Sequence, residues 1–293
     1  MLKTLRCALD CRAFLGEGPT WDPQGQALWW CDIYGPTLER WVPESGDRRS
    51  WTLPEPVGSF ALCESGDQAV VALADGFHVL NLGSGTLTPI VDPDPERPGT
   101  RFNDGRCDRQ GRFLAGTMSI GLKRSNAALY RLDAELDTTR LFGDATVANG
   151  LAFSPDGATM YWADSPAQTI WAFEYDAARG VPGERRVLRS FGPGDGYPDG
   201  AAVDAEGCYW TAMFAGGRVL RLHPQTGEIL REIAIPVRRP TMPAFGGADL
   251  RTLYVTSARE HASAAELAHH PQSGSIFAIE VDVPGLVEPR FKG

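Results

Sequence analysis

The sequence predicts an all-β fold, a six-bladed β-propeller with four-stranded antiparallel blades and an N-terminal strand closing the last blade. Three observations predict it. Turn anchors recur at Gly25, Gly66, Gly111, Gly157, Gly207 and Leu250, at intervals of 41, 45, 46, 50 and 43 residues, and repeats of this length built from short strands are the mark of propeller blades. Helical periodicity is nearly absent, the exception being an Ala-rich stretch near 262–269. In four of the repeats a polar residue stands eight positions before the anchor, a regularity that a β-sandwich or two stacked barrels would not require.

Taken in order, residues 3–9 read as a strand ahead of the first full unit. It is assigned to the last blade, because a borrowed strand latches the ring and covers a free edge. An apolar strand follows each anchor, at 27–33, 69–73, 113–118, 160–164, 209–214 and 253–256. A second strand comes after it at 37–42, 128–132, 169–175, 218–222 and 275–279. Six such units fill the chain, so 1–293 is expected to form a single domain.

Composition narrows the function. A hydrophobic content of 43% supports a sizeable core, and 33 Gly with 22 Pro suit many tight turns. The net charge of -9 argues against a nucleic-acid partner, which needs clustered Lys and Arg. No apolar run approaches the roughly 18 residues of a membrane span, and charge interrupts the first ten residues too often for a secretory signal. A cytoplasmic setting is therefore expected. The six cysteines form no C-x-x-C pair, and Cys31, Cys107 and Cys208 fall in apolar strand-like stretches, as free thiols packed like small hydrophobes do.

The recurring polar position carries the chemistry. The frames run Glu17-Gly-Pro-Thr-Trp-Asp22-Pro-Gln-Gly25, Asn103-Asp-Gly-Arg-Cys-Asp108-Arg-Gln-Gly111, Asn149-Gly-Leu-Ala-Phe-Ser154-Pro-Asp-Gly157 and Asp199-Gly-Ala-Ala-Val-Asp204-Ala-Glu-Gly207. In a closed ring, equal register means equal depth on the axis. Two carboxylates and two amides then converge, at the position expected just before the innermost strand, where the channel opens. Glycine after three of them is expected to allow positive φ and close approach to a ligand. In the other two repeats the matching residues are Gly58 and Met242, which supply no anionic ligand and leave room for a substrate. Such oxygen donors suit Ca²⁺, Mg²⁺ or Mn²⁺, and Zn²⁺ and Fe²⁺ accept them too. Any one of these residues alone would serve equally to cap a turn through an Asx-type bond. Four at one register point instead to one divalent cation.

The phrases Leu15-Gly-Glu17-Gly-Pro19, Arg101-Phe-Asn103-Asp-Gly105, Asn149-Gly-Leu-Ala-Phe-Ser-Pro-Asp-Gly157 and Tyr197-Pro-Asp199-Gly200 resemble those of the regucalcin, gluconolactonase and luciferin-regenerating family, from about Leu15 to Val281. The resemblance implies a six-bladed propeller with one divalent metal in the channel, held by Glu17, Asn149 and Asp199. It implies Arg101 and Asn103 as the substrate-binding pair, Asp199 as general base, and hydrolysis of a sugar lactone as the activity. The residues suit that chemistry: a metal held by three side chains keeps open positions to polarise the lactone carbonyl and acidify water. Asp199 is placed to pass a proton from that water to the ring oxygen. Two other readings stay open, a non-catalytic calcium-binding regulatory propeller and hydrolysis of other esters or organophosphates. The resemblance leaves the sugar, the cation and the oligomeric state undetermined.

Residues 119–126, a variable rim loop in the family, offer Lys123, Arg124 and Asn126 here, either as a solvated loop or as a substrate lid. His269 and His270 read as solvated, and no Gly-x-Ser-x-Gly elbow suggests a serine hydrolase. The Gly192-Pro-Gly194-Asp-Gly196 run lacks the Lys-Ser/Thr end of a phosphate loop. The prolines of Asp92-Pro-Asp94-Pro-Glu96 prevent an EF-hand turn. The tryptophans read as packing between blades, with Trp21, Trp29 and Trp30 nearest the site.

Overall fold

A computed structural model describes residues 4–95 and 99–293. The strands segregate by polarity as burial demands. Strands flanked on both sides within a blade read as almost unbroken apolar runs, such as Ala27–Asp32 and Gln68–Leu73. Outer strands such as Arg48–Thr52 and Val181–Ser190 carry charge on their exposed faces. The result is six four-stranded antiparallel sheets. Their first strands, Gly16–Asp22, Val57–Leu62, Thr100–Cys107, Ala148–Phe153, Tyr197–Val203 and Pro240–Gly246, contact one another in sequence and close a ring around the axis. They number the blades 1 to 6 below. Arg6–Leu9 pairs with Ile276–Glu280 as the outermost strand of blade 6, as expected of the N-terminal segment. Lys3, the expected start of that strand, lies outside the described residues, as does Glu96.

Packing between blades makes the core. Within blade 1 Trp29 stacks on Trp51 with centroids 5.2 Å apart, and across the seam Trp21 of blade 1 stacks on Tyr254 of blade 6 at 5.8 Å. Trp21, Trp29 and Trp30 are all buried, so they pack and present no platform to a sugar. All six cysteines are free, and Cys31, Cys63, Cys107 and Cys208 are buried. The Ala-rich stretch forms one short helix, Ala264–His269, with Ser263 accepting from the Glu266 amide. No helix among the described residues is long and apolar enough to cross a membrane.

In blades 1, 3 and 5 the turn after the innermost strand is fixed by the aspartate at the sixth position of the frame. Asp22 accepts from the amides of Gln24 and Gly25, and Asp108 from those of Gln110 and Arg112. Asp204 is fully buried, with Oδ1 accepting from the amides of Glu206 and Cys208 and Oδ2 from Trp210 Nε1 and Arg221 Nε. The Asx-type capping considered for the first residue of the frame thus belongs to the sixth.

One further element lies outside the repeats. Residues 284–292 cross the end of the channel remote from the rim loop, as a strap. The Ala205 amide donates to the carbonyl of Pro284 and Arg109 to that of Val287, Arg290 pairs with Asp22 at 2.8 Å, and the Lys292 amide donates to Gly111. Arg106 pairs with Glu288, and Phe291 is fully buried among blades 2 and 3.

Candidate functional site

The four recurring residues lie inside the innermost strands, not ahead of them as expected. The reason is a bulge. In blades 1, 3, 4 and 5 the ladder slips between Glu17 and Thr20, Phe102 and Gly105, Asn149 and Ala152, and Pro198 and Ala201, so two residues oppose one. A bulge re-aims side chains out of the regular alternation, and such bulges gather at functional sites. Gly18 and Gly150, with φ of 61° and 63°, supply the left-handed backbone this requires in two of the blades. Gly200 differs from expectation: its φ is not positive, and a Cβ there would sit 2.4 Å from the Met242 side chain.

Glu17, Arg101, Asn103, Asn149 and Asp199 all line one cavity of about 520 Å³ at the channel mouth. A directed chain of hydrogen bonds joins Arg101, Asn103 and Asn149 across the blades. Arg101 Nη1 donates to Asn103 Oδ1 at 3.0 Å, and Asn103 Nδ2 to Asn149 Oδ1 at 2.9 Å. Asn149 Nδ2 donates to Ser165 Oγ at 2.7 Å, and Ser165 Oγ to the carbonyl of Pro198 at 2.7 Å. With its amide nitrogen committed to Ser165, Asn149 keeps Oδ1 as the atom available to a ligand, and one lone pair remains beyond the bond from Asn103.

The carboxylates are electrostatically stressed. Burial first, then the charge of Asp104, pushes Glu17 up to about 8, against a bond from the Gly18 amide that favours ionisation. Burial raises Asp199 well above the carboxylate range, and Glu17 and Asp104 add to it. Among the described residues neither forms a salt bridge. Two carboxylates repelling each other beside an amide oxygen form a hard donor set, and a divalent cation is the partner that relieves it. Glu17, Asn149 and Asp199 therefore fit such an ion, although among the described residues no three His, Cys, Asp or Glu side chains gather as ligands.

Several site residues escaped the sequence reading. Asp104, directly after Asn103, accepts from the Leu151 amide, and burial lifts it to about 6 while Arg106 draws it down. Its signal was visible as an acid where the other frames have glycine. Glu260 and His261 line the cavity from the blade 6 loop, with His261 at a left-handed φ of 57°. The Arg239 guanidinium holds that loop by its bond to the His261 carbonyl and its pairing with Glu266. Tyr34 and Phe214 add aromatic wall. From the rim loop Gly121 and Leu122 face the cavity, whereas Lys123 and Arg124 are exposed and do not line it. His269 and His270 do not line it either.

Fold and cavity together define the propellers that carry a carboxylate and amide site at the mouth of a six-bladed ring. The chain belongs to the SMP-30/Gluconolactonase/LRE-like family, whose model matches residues 15–259. It is 46% identical to a 6-deoxy-6-sulfogluconolactonase of Pseudomonas putida, over the full length of both chains. It is 39% identical to an L-arabinolactonase of Azospirillum brasilense, covering 97% of this chain and 94% of that one. A solved structure of a calcium-binding protein, regucalcin, from Agrobacterium tumefaciens superposes with a TM-score of 0.94 at 31% identity, covering 99% of this chain and 98% of the other.

Proposed function

We propose that the protein hydrolyses a sugar lactone to the corresponding aldonic acid, with one divalent cation held by Glu17, Asn149 and Asp199. The observation that carries this reading is a pair of carboxylates, Glu17 half-buried and Asp199 buried, without a salt-bridge partner among the described residues and sharing a cavity with Asn149 and the Arg101 guanidinium. The relatives that hydrolyse lactones support it.

When bound, the cation supplies Lewis-acid polarisation of the lactone carbonyl and a more acidic water. The residues of the chain do the rest. Asp199 takes a proton from the water whose oxygen bonds to the carbonyl carbon, and returns it to the ring oxygen as the acyl C–O bond breaks. Arg101 and Asn103 orient the sugar hydroxyls, and Arg101 also faces developing charge on the carbonyl oxygen. No covalent intermediate is required.

The test is a pH-drop assay of chelated protein against five- and six-carbon aldonolactones, with each candidate cation added back. Asp199→Asn is expected to abolish turnover with its circular dichroism unchanged. Lactone opening at the wild-type rate by that variant would refute the assignment of the base. The calcium-binding neighbour favours a second reading, in which the ion only steadies the channel. Against it stands Arg101, a buried guanidinium with no carboxylate partner among the described residues, which a purely structural ion does not need.

A further inference from the structure

Arg101 is held in an unusual way. It is 5% exposed, and among the described residues it has no salt bridge and its buried Nε has no hydrogen-bond acceptor. Its Nη1 donates to the Phe102 carbonyl and to Asn103, which leaves Nη2 to be placed by another blade. Tyr34 of blade 1 does this. The Tyr34 hydroxyl accepts from Nη2 at 3.1 Å, and the guanidinium carbon lies 5.1 Å from the centroid of the same ring.

The ring is itself a built support. Tyr34 lies in the turn between the strands Ala27–Asp32 and Thr37–Trp41. The Asp32 carboxylate ties that turn to the neighbouring segment, accepting from the amides of Gly35, Leu15 and Phe14 at 3.1, 3.0 and 2.8 Å. This brings the Phe14 ring edge-on to Tyr34, with centroids 6.0 Å apart at 83°. Both rings are partly exposed, at 49% and 41%, so neither serves the core. An arginine side chain has many rotamers, and fixing one before the substrate arrives removes that ordering cost from binding.

We infer that Tyr34 is a positioning residue for substrate binding: its hydroxyl and ring hold the Arg101 guanidinium in the pose that meets the lactone. This rests on the lactonase reading above. Removing the hydroxyl alone loses one charge-assisted bond, and removing the ring also loses the cation–π contact.

The experiment measures kcat and KM for the wild type, Tyr34→Phe, Tyr34→Ala, Arg101→Ala and the double variant Tyr34→Phe/Arg101→Ala, on whichever lactone the wild type opens. Tyr34→Phe is expected to raise KM about 5-fold with kcat within twofold, and Tyr34→Ala to raise it about 30-fold. In the Arg101→Ala background, Tyr34→Phe should change KM no further, because its effect travels through the guanidinium. Melting temperatures should stay together, since Tyr34 sits on a surface turn. A wild-type KM in Tyr34→Phe overturns the inference, as does a full penalty that persists once Arg101 is gone. A wild type that opens no lactone counts against the lactonase reading instead, and the same cycle run on aldonate binding by calorimetry still decides the role of Tyr34.

Discussion

Glu17→Gln in the metal-free protein gives the sharpest test of the carboxylate cluster, because its sign runs against intuition. Without a cation, folded Glu17 holds its proton up to about pH 8, against an ordinary value of 4.5. Between those values the folded chain binds more protons than the unfolded one. The stability from this group is thus fully present below about pH 4.5 and is lost as pH rises through 8. At about 1.4 kcal/mol per pH unit the ceiling is about 5 kcal/mol. Part of Glu17 stays open to the cavity and the site relaxes, so about 1–3 kcal/mol is expected at pH 9. Glutamine has the same shape and no proton to lose. In chelator, Glu17→Gln should match the wild type at pH 5 and exceed it by several degrees in melting temperature at pH 9. With a cation at a thousandfold its Kd, the order should reverse. The wild type then gains about 4.1 kcal/mol, and the variant, short of one ligand, gains little. Thermal melts from pH 5 to 9, with chelator and with each cation, read both effects. A variant less stable than wild type in chelator at pH 9, or one stabilised equally by the cation, would refute the shared-cation reasoning.

Further expectations concern the rest of the site and the scaffold. Arg101→Ala should raise KM at least 30-fold while cation affinity by calorimetry stays within about twofold, since the guanidinium serves the substrate and not the ion. Phe291→Ala should cost about 3–5 kcal/mol in urea unfolding, because the fully buried ring fastens the strap between blades 2 and 3. Asp204→Ala should cost about 3 kcal/mol or more by the same measurement, because it strips partners from two backbone amides, the Trp210 indole and Arg221.

The fold was legible because repetition amplifies weak local signals. One apolar run such as 69–73 is ambiguous, but six at a steady interval, each behind a turn, leave few architectures. The eight-residue frame likewise brought Glu17, Asn103, Asn149 and Asp199 to one cavity, where Arg101, which the family resemblance named, joins them. It misplaced them relative to the strands because a bulge is a property of pairing register, which the sequence of one strand does not display. Tyr34, Ser165, Glu260 and His261 were missed for a related reason. They sit on loops that share no register with the frame, and only ring closure sets them beside it. The strap was invisible too. Its Phe291 and Arg290 find partners more than two hundred residues away, and no period announces such contacts.

The position of Gly58 decides how far this ring can be remodelled. A Cβ there would lie 2.4 Å from the carbonyl group of Phe102, so any side chain at that register would have to push blade 2 away from blade 3. A donor cannot be added at this position by exchanging one residue. The gap in blade 2 is kept open by main-chain contact between neighbouring sheets, and it is as durable as the ring. Variation on this side of the cavity is left to the loops above the gap, where side chains can change while the blades stay in place.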